Sequence, residues 1–274
     1  MLCEFTLPSN PERKVRLREA TVADAIDFSS IDPDFEEEVT SLFLEKMQES
    51  ATYSDPKTWT GEDRLYAMFM YHIHTTRHRA IPLTFKCSVC GQQHTSDISL
   101  AAILDSYTPI SGKAFREFPH DGHNAIVTPL TGADLELLEK YRYDLSFTEG
   151  ELEGALDAAE VKKLTEEVRR KRVNMAMFRV LCCIDFPFLD EGGTRASRRA
   201  KVEEYVKAMP VESFKELFGR VENALAEMRH GLRTVYKAGR VHIEIPDVKC
   251  DTDPNAPGVV LLYSFRPASI VPTI

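Results

Sequence analysis

The sequence predicts an α+β fold, mainly helical, that carries two short Cys-bearing β-hairpins of zinc-ribbon type. Three observations carry that prediction. Apolar residues recur at helical spacing through most of the chain, as with Phe35, Val39, Leu42, Leu44 and Met47. Thr-x-x-Asp tetrads stand just ahead of such runs, where a capped helix begins. Two stretches, "AIPLTFKCSVCGQQHTSDISL" and "RVHIEIPDVKCDTDPNAPGVVLLYSF", alternate like strands on either side of a cysteine-containing turn.

Taken in order, Val15 and Leu17 alternate in a first strand, and Thr21-Val22-Ala23-Asp24 opens a helix. The acidic segment "FEEEVTSLFLEKMQES" is a second helix. After the loop "SDPKTWTGED" a third starts at Thr60, with Leu65, Phe69, His72 and Ile73 along one side. The first Cys hairpin follows, and Gly91 suits a tight turn that needs positive φ. "AIVTPLTGADLELLEKY" then repeats strand, Thr131–Asp134 capping box and helix. Glu151–Phe178 is read as a helix bearing Leu152, Leu156, Leu164, Val168 and Met175. A further helix is expected over Val211–Tyr236, ahead of the second Cys hairpin. This order suggests an internal duplication, residues 12–104 and 124–266, with a helical insertion at about 141–210 inside one composite domain spanning 1–274. Chance reuse of common pieces is the alternative.

Size and charge bound the function. With 274 residues, 43% of them apolar, the chain can bury a substantial core. The net charge, 34 − 43 = −9, argues against nucleic-acid binding as its main role. Apolar runs such as "VVLLY" have strand length, far short of a membrane span. The amino terminus lacks the charged and apolar regions of a signal peptide. Cys3, Cys87, Cys90, Cys182, Cys183 and Cys250 are therefore expected as thiols or metal ligands in a reducing cytoplasm.

Cys87-x-x-Cys90-Gly91 between two strands is half of a tetrahedral metal site. If the halves correspond, "VKCDTDP" faces "FKCSVCG", and Cys250 and Asp253 complete the set. His94 and Cys3 are the reserve ligands. Zinc is the metal these donors suit, in a structural role; the competing reading is a degenerate knuckle that packs without metal. A thioredoxin-type pair would begin a helix, whereas "GQQHTSDISL" alternates.

The stretches "FTLPSNPERKVRLREATVADAIDFSSI", "WTGEDRLYAMFMYHIHTTRH" and "FKCSVCGQQHTSDISL", with the ending "LLYSFRPASI", resemble the baseplate hub and hub-assembly proteins of T-even-like contractile-tailed phages. The resemblance covers about Phe5–Leu104 and, more weakly, the carboxyl end; about 141–199 has no counterpart. It implies a structural or assembly role without enzymatic activity. It also implies other baseplate proteins as partners in a symmetric assembly, located in the virion tail or in the host cytoplasm during assembly.

Other features have competing readings. Phe214, Phe218, Val221, Leu225, Met228, Leu232 and Val235 form an a/d-like seam, either for docking a subunit or, as favoured, for an internal helix pair. Arg169, Arg170, Lys171 and Arg172, with Arg195, Arg198, Arg199 and Lys201, are a candidate surface for an acidic protein. They also carry the alternative function, a zinc-ribbon nucleic-acid-binding regulator; the favoured reading is a solvated, salt-bridged face. His74 and His78 stand at i,i+4, but the favoured reading is a helix C-terminus. "HDGHN" reads as a turn. The tail "RPASIVPTI" is read as extended, either along a neighbouring chain or loose. No nucleotide-binding or hydrolase motif is present.

Overall fold

The computed structural model describes residues 1–30, 32, 35–87, 90–237, 240–250, 252 and 257–272. It is an α+β molecule whose short antiparallel sheets flank longer helices. The chain opens with a hairpin of β1 (Cys3–Leu7) and β2 (Asn10–Leu17). Cys3, Phe5 and Leu7 alternate inward in β1, a period-two signal that the reading of a first strand at Val15 passed over. Helices α1 (Val22–Ser29), α2 (Glu36–Met47) and α3 (Gly61–Thr75) follow. The hairpin of β3 (Ala80–Lys86) and β4 (Gln93–Ser99) comes next, then the short α4 (Leu100–Asp105). Thr21–Asp24 forms the reciprocal capping box expected there, and the expected helix start at Thr60 proves to be a second one, with Asp63.

A second run begins with β5 (Arg116–His120) and β6 (His123–Val127), joined through Asp121 and Gly122, both at positive φ. Asp-Gly is the pair that a two-residue hairpin turn of this twist selects. Helix α5 (Gly132–Gly154) starts at the Thr131–Asp134 capping box and α6 (Ala158–Cys183) returns beside it. The break between them falls at 155–157, so the expected single helix over Glu151–Phe178 is in fact the end of one helix and most of another. Leu156, placed on its apolar face, is 99% exposed in the turn. Strand β7 (Ile184–Asp185) adds to β6, and α7 (Arg195–Ala208) and α8 (Val211–Glu227) complete the helices. The last sheet has the order β10-β9-β8, from β8 (Thr234–Lys237), β9 (Arg240–Val248) and β10 (Val259–Tyr263).

Helix α8 stops at Glu227, nine residues short of the expected end at Tyr236. Buried His230 and Gly231, at φ 74°, turn the chain there, and Val235 belongs to a strand. Of the expected seam, Val221 and Met228 are buried in the second core, and the buried stripe of the helix runs through Leu217 and Ala224, which the seam did not include. Of the residues offered for partner binding, Phe214 and Leu225 are half-buried against the same core and Phe218 is 41% exposed.

Two cores result. The first joins the amino-terminal hairpin and α2, α3 and α4 to β9, β10 and the tail, through Phe43, Phe69, Ile243, Phe265 and Val271. The described part of the tail folds back onto this core. Phe265 packs edge-on against Phe69 at 5.2 Å, and Val271 is buried. The second core is made between Ile110 and Met228 alone.

The two runs meet where α3 and α5 begin. Gly61 N–H donates to Leu130 O (3.1 Å) and Gly132 N–H to Trp59 O (2.9 Å), around a Thr60–Thr131 bridge. A Cβ at Gly61 would touch Leu135 and one at Gly132 would touch Arg64, each three residues along the opposite helix. The junction is thus a local two-fold. Helix N-termini carry partial positive charge, and carboxylates gather around these. Glu139 reaches across from α5 to accept from Glu37 N–H, supplying the cap that Phe35 cannot give α2. Burial pushes Glu139 up to about 7.

Candidate metal centre

Four donors from two hairpins converge on one point. Cys87 ends the first arm of the β3–β4 hairpin, Cys90 lies in its turn and His94 is the second residue of β4. Cys250 arrives just beyond β9. The turn is fixed by Cys87 N–H to Gln92 O (2.8 Å) and Gly91 N–H to Cys87 O (3.0 Å), with Gly91 at φ 71°. That positive φ folds the turn back and sets Cys90 over His94. The ligand atoms of Cys87, Cys90, His94 and Cys250 all lie within 4.8 Å of one another.

The spacing fits a metal ion. A tetrahedron with Zn–S near 2.3 Å and Zn–N near 2.0–2.1 Å has S–S and S–N edges of about 3.6–3.8 Å. Cys250 Sγ stands 3.8 Å from Cys90 Sγ and 3.7 Å from His94 Nε2. Cys90 Sγ and His94 Nε2 are closer, 3.0 Å, a hydrogen-bond distance that would open by about half an ångström around an ion. Cys87 and Cys250 are buried, His94 is 9% exposed and Cys90 is half-buried. The Phe85 ring, opposite His94 in the β3–β4 register, covers the cluster at 5.8 Å from the imidazole. The residues can therefore hold a metal ion.

The fourth donor is His94, one of the two reserves. Asp253 lies outside the described residues. Cys3 is far from the cluster, buried in the first core opposite Leu17, where burial pushes its thiol up to about 11. Cys182 and Cys183 are buried in the second half with thiols pushed up to about 12, chiefly by desolvation. No disulfide joins any of the six cysteines. His74 gives Nδ1 to Met70 O and α3 ends at Thr75, so His74 and His78 share no helical face.

The cationic candidates divide. Arg198 pairs with Asp185, Arg199 with Asp134, Lys201 with Asp190, and Arg195 donates to Cys182 O. Lys171 pairs with Asp144 and Arg172 with Glu149 across the α5–α6 hairpin. Arg169 and Arg170 are exposed, with no pairing partner among the described residues.

A network that sequence reasoning missed pins three segments near the junction. Asp63, fully buried, accepts from Ser9 N–H (2.8 Å) and from the Ser9 hydroxyl. His230 Nδ1 donates to Met228 O (2.7 Å), which leaves Nε2 to accept from the Thr60 hydroxyl (2.8 Å). Only the helix start at Thr60 was readable in advance; Ser9 and His230 lie 54 and 170 residues from their partners.

Comparison with protein-family models, with curated proteins and with solved structures returns no match. No helix among the described residues is long and apolar enough to cross a membrane.

Proposed function

We propose that this chain is a non-catalytic building block or assembly factor of a contractile phage-tail baseplate, with its two Cys hairpins clasped by one zinc ion. One observation carries the reading. Cys250 meets Cys90 from 160 residues away, and with Cys87 and His94 it completes a closed Cys₃His set. Thiolate and imidazole donors at tetrahedral spacing favour zinc over hard-ligand cations. Four protein ligands leave no open position for substrate, which suits a structural ion. The baseplate assignment rests on the resemblance across Phe5–Leu104 and the carboxyl end. Its partners would be other baseplate proteins in a symmetric assembly, met in the host cytoplasm or the virion tail. The internal pairing of Arg195, Arg198, Arg199 and Lys201 weighs against a nucleic-acid role.

Metal analysis tests the clasp. One zinc per chain is expected, lost in Cys250→Ser. An ion present at about a thousand times its Kd stabilises the folded state by about 4 kcal/mol. At about 2–4 °C per kcal/mol for a chain of this order, chelation should lower Tm by about 8–16 °C. A metal-free wild type whose Tm ignores chelator would end the reading of the ion. Disrupting the gene in a phage that carries it tests the role: particles lacking functional tails are expected, and normal contractile tails would refute it.

A further inference from the structure

We infer that the α5–α6 hairpin is a self-association arm, on which a second copy of this chain docks with its acidic α5 against the basic α6 of the first. The inference goes beyond the proposed function and stands without it. No residue between 131 and 176 belongs to either core. Over the outer arm the two helices bury only Leu145, Thr148, Leu164 and Val168 between themselves, while Phe147, Leu156 and Val173 are 62%, 99% and 61% exposed.

The charges say what covers this surface. Lys140–Gly154 carries four acids against two bases, and 158–173 carries six bases against three acids. Lys162, Arg169 and Val173 fall on one stripe of α6, and Glu149 and Glu153 on one stripe of α5. Arg172, which pairs with Glu149 at 2.6 Å, lines one groove together with Arg169, Val173 and, from α5, Leu152, so both stripes border the same groove. The groove between them is floored by Leu152, Val168 and Val173. Lys162, Arg169 and Glu153 are exposed and without an ion-pair partner among the described residues.

An acidic ridge beside an antiparallel basic ridge is complementary to itself under a two-fold rotation that lays α5 on the α6 of the other copy. A polyanion or a wholly acidic protein would meet repulsion from Glu149 and Glu153. Fifteen helical residues from Lys140 make a face about 22 Å long and about 20 Å wide. Two such faces cover about 900 Å² in total, below the usual range of about 1,200–2,000 Å² for stable complexes. The contact should therefore be weak, dependent on concentration, and strengthened where many copies are held together.

Sedimentation of the full chain over a concentration series, at about 20 mM and about 500 mM salt, tests it. Mass should climb from monomer towards dimer at low salt and fall back at high salt. Lys162→Glu with Arg169→Glu should stay monomeric, as should Glu149→Lys with Glu153→Lys, each retaining the wild-type circular dichroism spectrum. An equimolar mixture of the two variants should recover the dimer mass. A wild type that stays monomeric throughout, or variants that do not pair when mixed, would overturn the inference.

Discussion

Adding one methyl group at Gly132 should destabilise this protein, against the usual sign for glycine in a helix. Gly132 opens α5 without positive φ, so alanine can adopt its backbone, and Gly→Ala in a helix ordinarily stabilises by about 0.5–1 kcal/mol. Here the new Cβ would lie 1.9 Å from Arg64 Nη1 and 2.8 Å from Pro56 O. Arg64 is 1% exposed, with Nη2 donating to Glu37 O at 2.6 Å and facing the Glu37 carboxylate at 3.2 Å. Displacing it breaks that pair, and Pro56 must still give way. Overpacking costs about 1–3 kcal/mol. Breaking a fully buried pair costs about 3–5 kcal/mol, less here because Glu37 is 29% exposed. The sum is about 2–5 kcal/mol, a fall in Tm of about 4–20 °C by calorimetry. Two companions sharpen the test. Gly61→Ala would meet only the flexible end of Leu135, at 2.9 Å, and should change stability by less than about 1 kcal/mol. Arg64→Met in the Gly132→Ala background should recover part of the loss, a non-additivity expected only of residues in contact. A Gly132→Ala protein as stable as wild type would refute the packing argument.

Other outcomes follow from single side chains. Hydrogen bonds from Arg18 hold Asp24 well below the usual carboxylate range, so its contribution is present above the unfolded value near about 3.9 and is lost as pH falls below that. Asp24→Asn should flatten the acid limb of a stability–pH curve while lowering stability by about 1–2 kcal/mol at neutral pH. Glu139 has the opposite sign: with a folded value of about 7 and an unfolded value near about 4.3, it takes up a proton on folding between those limits. Its contribution therefore grows as pH falls through that window, and Glu139→Gln should remove this slope in urea titrations at successive pH values. His94→Ala should weaken zinc binding in competition with a chromophoric chelator, whereas Cys3→Ser should leave zinc content unchanged.

How much of this was legible depended on distance along the chain. The Thr21–Asp24 and Thr131–Asp134 caps, the helix start at Thr60 and the turn glycine Gly91 were readable because each motif is satisfied within four residues. Cys250 was matched to the Cys-x-x-Cys turn because the order of elements in the two halves sets one Cys-bearing hairpin against the other. His94 was harder to rank, since a histidine in an alternating strand carries no sign of which way the turn before it folds. The end of α8 was misplaced for a physical reason: Met228 and Leu232 are buried for the sake of different elements, yet continue a helical period by coincidence. The contact of Arg64 with Gly132 had no local signal at all, because it exists only when two helix starts 71 residues apart are brought face to face.

The first core draws on both ends of the polypeptide, while the second lies wholly within Ile110–Met228. During synthesis the inner unit can close as soon as Met228 has emerged. Leu17, Phe43 and Phe69 must wait for Ile243, Phe265 and Val271, some 167 residues after Leu104. At ribosomal speeds of about 5–20 residues per second that is a delay of about 8–33 s. The apolar face of the amino-terminal third thus stays uncovered for that interval, and removing Phe265 and Val271 should harm the start of the chain more than its middle.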